Sequence, residues 1–150
     1  MKTKTILIVE DNPSDAELAI RALKRNNVLN PVQVVVDGGE AIDYLFGRGK
    51  FIGRDTSALP GLVLLDLNLP DISGIEVLKT IRETDFLREL LVIVLTSSLE
   101  KKDVEECYRN FANSYLRKPV DFLEFSSIIK LISDYWIGTN VPPAALRVNK

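Results

Sequence analysis

A doubly wound α/β fold built on a parallel sheet is what this sequence predicts, and three observations predict it. Segments of strand character recur at Thr5 to Val9, Val32 to Val36, Leu62 to Leu65, Leu91 to Leu95 and Ser114 to Leu116. Stretches of helical spacing follow each of them, and parallel neighbours need such crossovers. The Leu62 to Leu65 run, LVLL, shows no polar alternation, as expected of a strand covered by helices on both faces.

The first strand, TILIV, is β-branched and apolar, and it stops at Glu10, Asp11, Asn12 and Pro13. Asn12 is suited to cap a helix that opens with Pro13, whose missing N–H is not needed there. Ala16, Leu18, Ala19, Ala22 and Leu23 carry that helix from Pro13 through Asn27, with Asn26-Asn27 as its stop. The second strand breaks at Asp37-Gly38-Gly39, after which Ala41, Ile42, Leu45 and Phe46 mark a second helix ending near Gly47. Residues 48–60, RGKFIGRDTSALP, lack a period and read as a long surface loop of functional or mobile character. Beyond the central strand, Ile75, Val77, Leu78 and Ile81 give a third helix opening near Gly74, with Ser73 or Asp71 near its start. Leu91 to Leu95 precedes Thr96-Ser97-Ser98 and a fourth helix, Glu100 to about Asn110, whose charged side reads as solvated. After the short fifth strand, Arg117, Lys118 and Pro119 lead to Asp121, a cap for a last helix carrying Phe122, Phe125, Ile128, Ile129, Leu131, Ile132 and Trp136. The expected division is one domain over 1–137 and a tail over 138–150 that contains Pro142-Pro143.

Composition narrows the chemistry. At 150 residues, 46% hydrophobic and 27% charged, the chain has the profile of a soluble globular protein, and a formal charge of -2 gives no electrostatic reason to expect nucleic acid or an anionic membrane as a partner. One cysteine, Cys107, excludes an internal disulfide, and no N-terminal segment resembles a signal peptide, so a cytoplasmic location is expected. There is no histidine, which excludes a Ser-His-Asp triad, a histidine zinc site and a phosphohistidine of the chain's own. No GxGxxG follows the first strand and no GxxxxGK[ST] occurs.

In a parallel sheet the carboxyl ends of all strands face one edge, so residues just past each run converge there. These are Glu10 and Asp11 after the first strand, Asp66 after the third, Thr96 after the fourth and Lys118 after the fifth. Taken alone, Asp66 reads as a strand-end cap, Thr96 as a turn residue and Lys118 as a surface cation. Together they read as a site. Three converging carboxylates repel unless a cation neutralises them, which makes a hard divalent ion, Mg²⁺ foremost, the expected cofactor. The Asn68 backbone carbonyl is a further candidate ligand, and a lysine and a threonine hydroxyl at the same rim suit phosphoryl oxygens.

The motifs ILIVEDN, LLDLNLP, VLTS and Lys118-Pro119 together resemble the response-regulator receiver domain of two-component signalling, over about Lys4 to Tyr135. The resemblance implies a flavodoxin-like (βα)5 fold with strand order 2-1-3-4-5. It implies that Asp66 accepts a phosphoryl group from the phosphohistidine of a sensor histidine kinase, with Asp11, Asp66 and the Asn68 carbonyl on Mg²⁺, and Glu10 acting through water. Lys118 would pair with Asp66 before transfer and with a phosphate oxygen afterwards. Thr96 and Tyr115 would form the conformational switch, although Tyr115 also reads as core packing, and the Lys118–Pro119 bond would be cis. Such a protein is a stoichiometric phosphoacceptor that promotes its own phosphorylation and dephosphorylation, not an enzyme.

The 48–60 loop and the Tyr135-Trp136 end with its tail resemble stand-alone regulators paired with phytochrome-type kinases. In that group the last helix supports a homodimer, and output passes to a partner or a phosphorelay protein. Arg48, Lys50 and Arg54 in the loop are candidate kinase contacts, with solvated charge as the plainer reading. Two rivals differ in kind: a metal-dependent phosphohydrolase with an aspartyl-phosphate intermediate, and a pseudo-receiver that takes no phosphate. The first needs an ionisable acid where Asn68 stands. The second has no need of the full acidic set.

Overall fold

The computed structural model describes residues 4–146. Five parallel strands, β1 (Ile6–Val9), β2 (Val32–Val35), β3 (Leu62–Leu65), β4 (Val92–Thr96) and β5 (Ser114–Arg117), form one sheet in the order β2-β1-β3-β4-β5. This is the flavodoxin-like order implied by the resemblance. The crossover helices are α1 (Pro13–Arg25), α2 (Gly38–Phe46), α3 (Gly74–Glu83), α4 (Lys101–Arg109) and α5 (Phe122–Ile132). α1 packs on α5, while α3 packs on both α2 and α4. Every residue of β1 and β3 is buried, which explains why neither run alternates.

The helix starts follow from their capping residues. Asn12 Oδ1 accepts from the Ser14 and Asp15 amides at 2.9 and 3.2 Å, with Pro13 in the first turn. Asp37, Ser73 and Asp121 do the same for α2, α3 and α5. Gly47 ends α2 in the left-handed region at φ 67°, where a Cβ would be strained.

Several elements differ from the sequence reading. The 48–60 segment lies largely at the surface and is pinned to α2. It carries a short helical turn, Gly49–Phe51, and Phe51 packs edge-on against Tyr44 at 5.1 Å. Arg54 lies over the Tyr44 ring at 4.1 Å and donates to the carbonyls of Tyr44, Leu45, Asp55 and Ala58. Its guanidinium therefore closes the loop onto α2, which corrects its reading as a solvated charge. Arg82 acts similarly, donating to the carbonyls of Arg88, Leu90 and Phe111 and to Asn113 Oδ1.

The last helix is α-helical only to Ile132 and continues as a π-type turn, Ser133–Ile137. Phe125, Ile129 and Ile132 enter the core, whereas Leu123, Leu131 and Tyr135 are exposed. Within the expected tail, Leu146 returns to the core and is fully buried. No helix among the described residues is long and apolar enough to cross a membrane.

Cys107 is the buried residue of α4. Burial pushes its thiol up to about 11, and Asp103 and Glu106 add to the rise. The thiolate is the reactive form, so reactivity must climb with pH toward that value. The folded protein is expected to resist iodoacetamide at about pH 8, where a denatured chain with an ordinary thiol reacts. Rapid labelling of the folded protein, followed by intact mass, would contradict this burial.

Candidate functional site

The carboxyl edge of the sheet gathers the predicted groups. β1 ends in Glu10 and Asp11, and β3 ends in Asp66. One carboxylate oxygen from each of these three residues lies within 4.8 Å of the other two. Glu10 and Asp66 are buried and Asp11 is exposed. An all-oxygen donor set of this charge and spacing suits a hard divalent cation.

Lys118 closes the other side. Its amide donates to the Thr96 carbonyl at 2.7 Å, which fixes it against β4. Its Nζ lies 2.5 Å from Glu10 Oε1, 2.9 Å from Asp15 Oδ2 and 3.3 Å from Asp66 Oδ2. Asp66 is thus shared between the acidic group and the ammonium, and Glu10 is the nearest partner of Lys118. The Asp66 Oδ1 atom also accepts from the Asn68 amide at 3.2 Å.

The electrostatics follow from this crowding. Burial pushes the Glu10 carboxyl up to about 7, and the Asp66 charge adds to the rise while Lys118 opposes it. Burial alone would lower the Lys118 ammonium. The hydrogen bonds it donates to Glu10 and Asp15, together with the Asp66 charge, override it and hold the group above the usual lysine value. A divalent cation would relieve the repulsion that Lys118 now balances.

Thr96 is fully buried at the end of β4, and its Oγ1 is a buried side-chain atom with no hydrogen-bond partner among the described residues. Such a group is costly to leave unsatisfied, so its position at a polar rim points to an incoming acceptor or donor. Tyr115 is half-buried, and its hydroxyl donates to the Ser98 carbonyl at 2.8 Å, tying β5 to the segment after β4. Burial raises this phenol, and the Ser98 contact partly offsets the rise. The Lys118–Pro119 bond is trans, against the expectation of cis, and trans is the lower isomer of such bonds by about 0.5–1 kcal/mol.

Asp15 is the residue that sequence reading missed. It sits in the first turn of α1, and its amide is held by the Asn12 cap. One turn of helix beyond Glu10-Asp11 brings its side chain back to the rim. The strand-end pattern does not reach it, and the sequence signal for this return is the capped start of α1.

Gly74 fixes the approach of α3. A Cβ built there would lie 2.2 Å from the Asp66 carbonyl oxygen and 2.7 Å from Leu67 Cα. Both are backbone atoms, so Gly74→Ala must displace α3 or the end of β3. The expected cost is about 1–3 kcal/mol, read as a lower denaturation midpoint. An unchanged midpoint would show that this contact is relieved without cost.

A family model described as the response regulator receiver domain matches residues 6–130. The probable methanogenesis regulatory protein FilR2 of Methanothrix harundinacea is 40% identical over 141 residues, covering 92% of this chain and 86% of its own length. Response regulator Rcp1 of Synechocystis is 34% identical over 142 residues, covering 95% of each chain. The phosphorylated cyanobacterial phytochrome response regulator RcpA superposes with a TM-score of 0.87 at 35% identity, over 95% of this chain and 99% of that one. The Mn²⁺-bound form of Rcp1 gives 0.86 at 33% identity, over 94% and 99%.

Proposed function

This chain belongs to the response regulator receiver domain family, and from that membership we propose that it is a response regulator whose Asp66 accepts a phosphoryl group from a sensor histidine kinase. The observation that carries the reading is the placement of Asp66, buried at the end of β3 with the Glu10-Asp11 carboxylates on one side and Lys118 on the other. In the proposed step an oxygen of Asp66 attacks phosphorus. The phosphorus–nitrogen bond of the donor imidazole breaks, its electron pair goes to the ring nitrogen, and an acyl phosphate forms.

Mg²⁺ would supply charge neutralisation between the two anions, held by Asp11, Asp66 and the Asn68 carbonyl, with Glu10 through water. The acidic set fits a hard ion, and the Mn²⁺-bound relative is consistent with a divalent one. Lys118 donates to a phosphoryl oxygen. The unpartnered Thr96 hydroxyl donates to another, and Tyr115 responds to the movement of Thr96, so that phosphate biases the surface formed by α4, β5 and α5. The protein is a stoichiometric phosphoacceptor that promotes its own modification and its reversal. A hydrolase reading is disfavoured because Asn68, two residues after Asp66, has no acid to give a leaving group.

A phytochrome-like kinase is the proposed donor, on the strength of RcpA and of bacteriophytochrome response regulators that are 42% identical to this chain. The exposed Leu123, Leu131 and Tyr135 of the last helix are the proposed homodimer contacts, and a downstream phosphorelay protein is the proposed output. A cytoplasmic location fits a histidine-kinase partner. The test is incubation with Mg²⁺ and acetyl phosphate followed by intact mass. Gain of one phosphoryl group is expected, and an unmodified protein under conditions that label a control receiver would overturn the reading. Transfer from a phosphorylated phytochrome-type kinase tests the donor separately.

A further inference from the structure

We propose that Asp15 is a positioning residue for Lys118, a second anion that holds the ammonium in its resting place and must release it when a phosphoryl group arrives on Asp66. This rests on the phosphoacceptor reading and deepens it.

Lys118 has three N–H donors, and three carboxylates meet them: Glu10 at 2.5 Å, Asp15 at 2.9 Å and Asp66 at 3.3 Å. The ammonium therefore lies nearer to Glu10 and Asp15 than to the acceptor. The acidic group that converges for a cation consists of Glu10, Asp11 and Asp66 and leaves Asp15 out. The charged partner of Asp15 is Lys118. Its backbone is fixed by the Asn12 cap, so the carboxylate is presented from a rigid helix start and not from a loop.

A phosphoryl oxygen that binds Lys118 has to displace one of these three contacts. Glu10 and Asp66 have side chains only 7% exposed, whereas that of Asp15 is 29% exposed. A carboxylate that regains water loses least when its cation leaves, so the Asp15 contact is the one given up. Asp15 thus competes with the phosphoryl group for Lys118 and sets how readily the lysine turns.

The test uses beryllofluoride, a tetrahedral phosphoryl mimic, titrated calorimetrically into the full chain with Mg²⁺ present. Asp15→Asn is expected to bind it more tightly, on the order of fivefold, the size of one partly exposed ion pair. Asp15→Glu is expected to return the affinity toward the original. In a Lys118→Ala background, Asp15→Asn is expected to change little, because its effect runs through the lysine. An unchanged or weakened affinity in Asp15→Asn overturns the proposal, and so does an equal gain without Lys118, which would mark a general charge effect. Where the lysine-free protein binds too weakly to titrate, the sign in Asp15→Asn together with its reversal in Asp15→Glu decides. Failure of the unaltered protein to bind the mimic would overturn the phosphoacceptor reading itself, whereas normal binding indifferent to Asp15 would overturn this inference alone.

Discussion

Asp66→Asn is expected to take up no phosphoryl group from acetyl phosphate or from a kinase, under conditions in which the original protein gains one. The amide has nearly the same shape and keeps an oxygen for the Asn68 amide, which donates to Asp66 Oδ1 at 3.2 Å. It lacks the anionic oxygen that attacks phosphorus, and it removes one donor from the acidic group. The fold is expected to survive, since the like charge that helps raise Glu10 disappears with the substitution. Intact mass and a thermal melt taken together are the check. A labelled, well-folded Asp66→Asn protein would place the acceptor elsewhere.

Lys118→Ala has the second largest expected effect, and it is double. Uptake from a small donor is expected to slow on the order of 10²–10³-fold, the usual loss for one charge-stabilising donor in a preorganised site. The same substitution leaves Glu10, Asp15 and Asp66 without their shared cation. Breaking a buried ion pair by removing one partner costs about 3–5 kcal/mol, and here Glu10 can limit the cost by holding its proton. Because the deficit is one of positive charge, added Mg²⁺ is expected to restore more stability to Lys118→Ala than to the original protein. Thermal melts with and without Mg²⁺ read this difference. An equal response in both proteins would mean that Lys118 does not balance the acidic group.

Much of this is legible in the sequence. β1, β3 and β4 are buried on both faces, so their continuous apolar runs could be recognised without knowing their neighbours. The capped starts at Asn12 and Asp121 were equally plain, because capping is a local hydrogen-bond matter. The strand-end residues Glu10, Asp11, Asp66, Thr96 and Lys118 were found because a parallel sheet sends all its carboxyl ends to one edge.

What escaped were contacts between distant parts of the chain. Arg54 reads as a surface charge in sequence and Arg82 carries no signal there, yet each satisfies several carbonyls of neighbouring segments. Leu146 lies in a stretch without period and is nonetheless buried in the core. The last helix changes its winding at Ser133 although its apolar spacing runs on to Trp136. The Lys118–Pro119 bond is trans where the resemblance implied cis.

By itself, then, the chain's residue pattern determined the alternation of strands and helices, the buried faces and the set of groups delivered to one edge, because these depend on local spacing and caps. Only the tertiary structure decided how Lys118 divides itself among Glu10, Asp15 and Asp66, and that Thr96 keeps a buried hydroxyl without a partner. Those outcomes are set by distances between residues as far apart in sequence as Glu10 and Lys118, and electrostatic competition at a few ångströms is invisible until the sheet has brought them together.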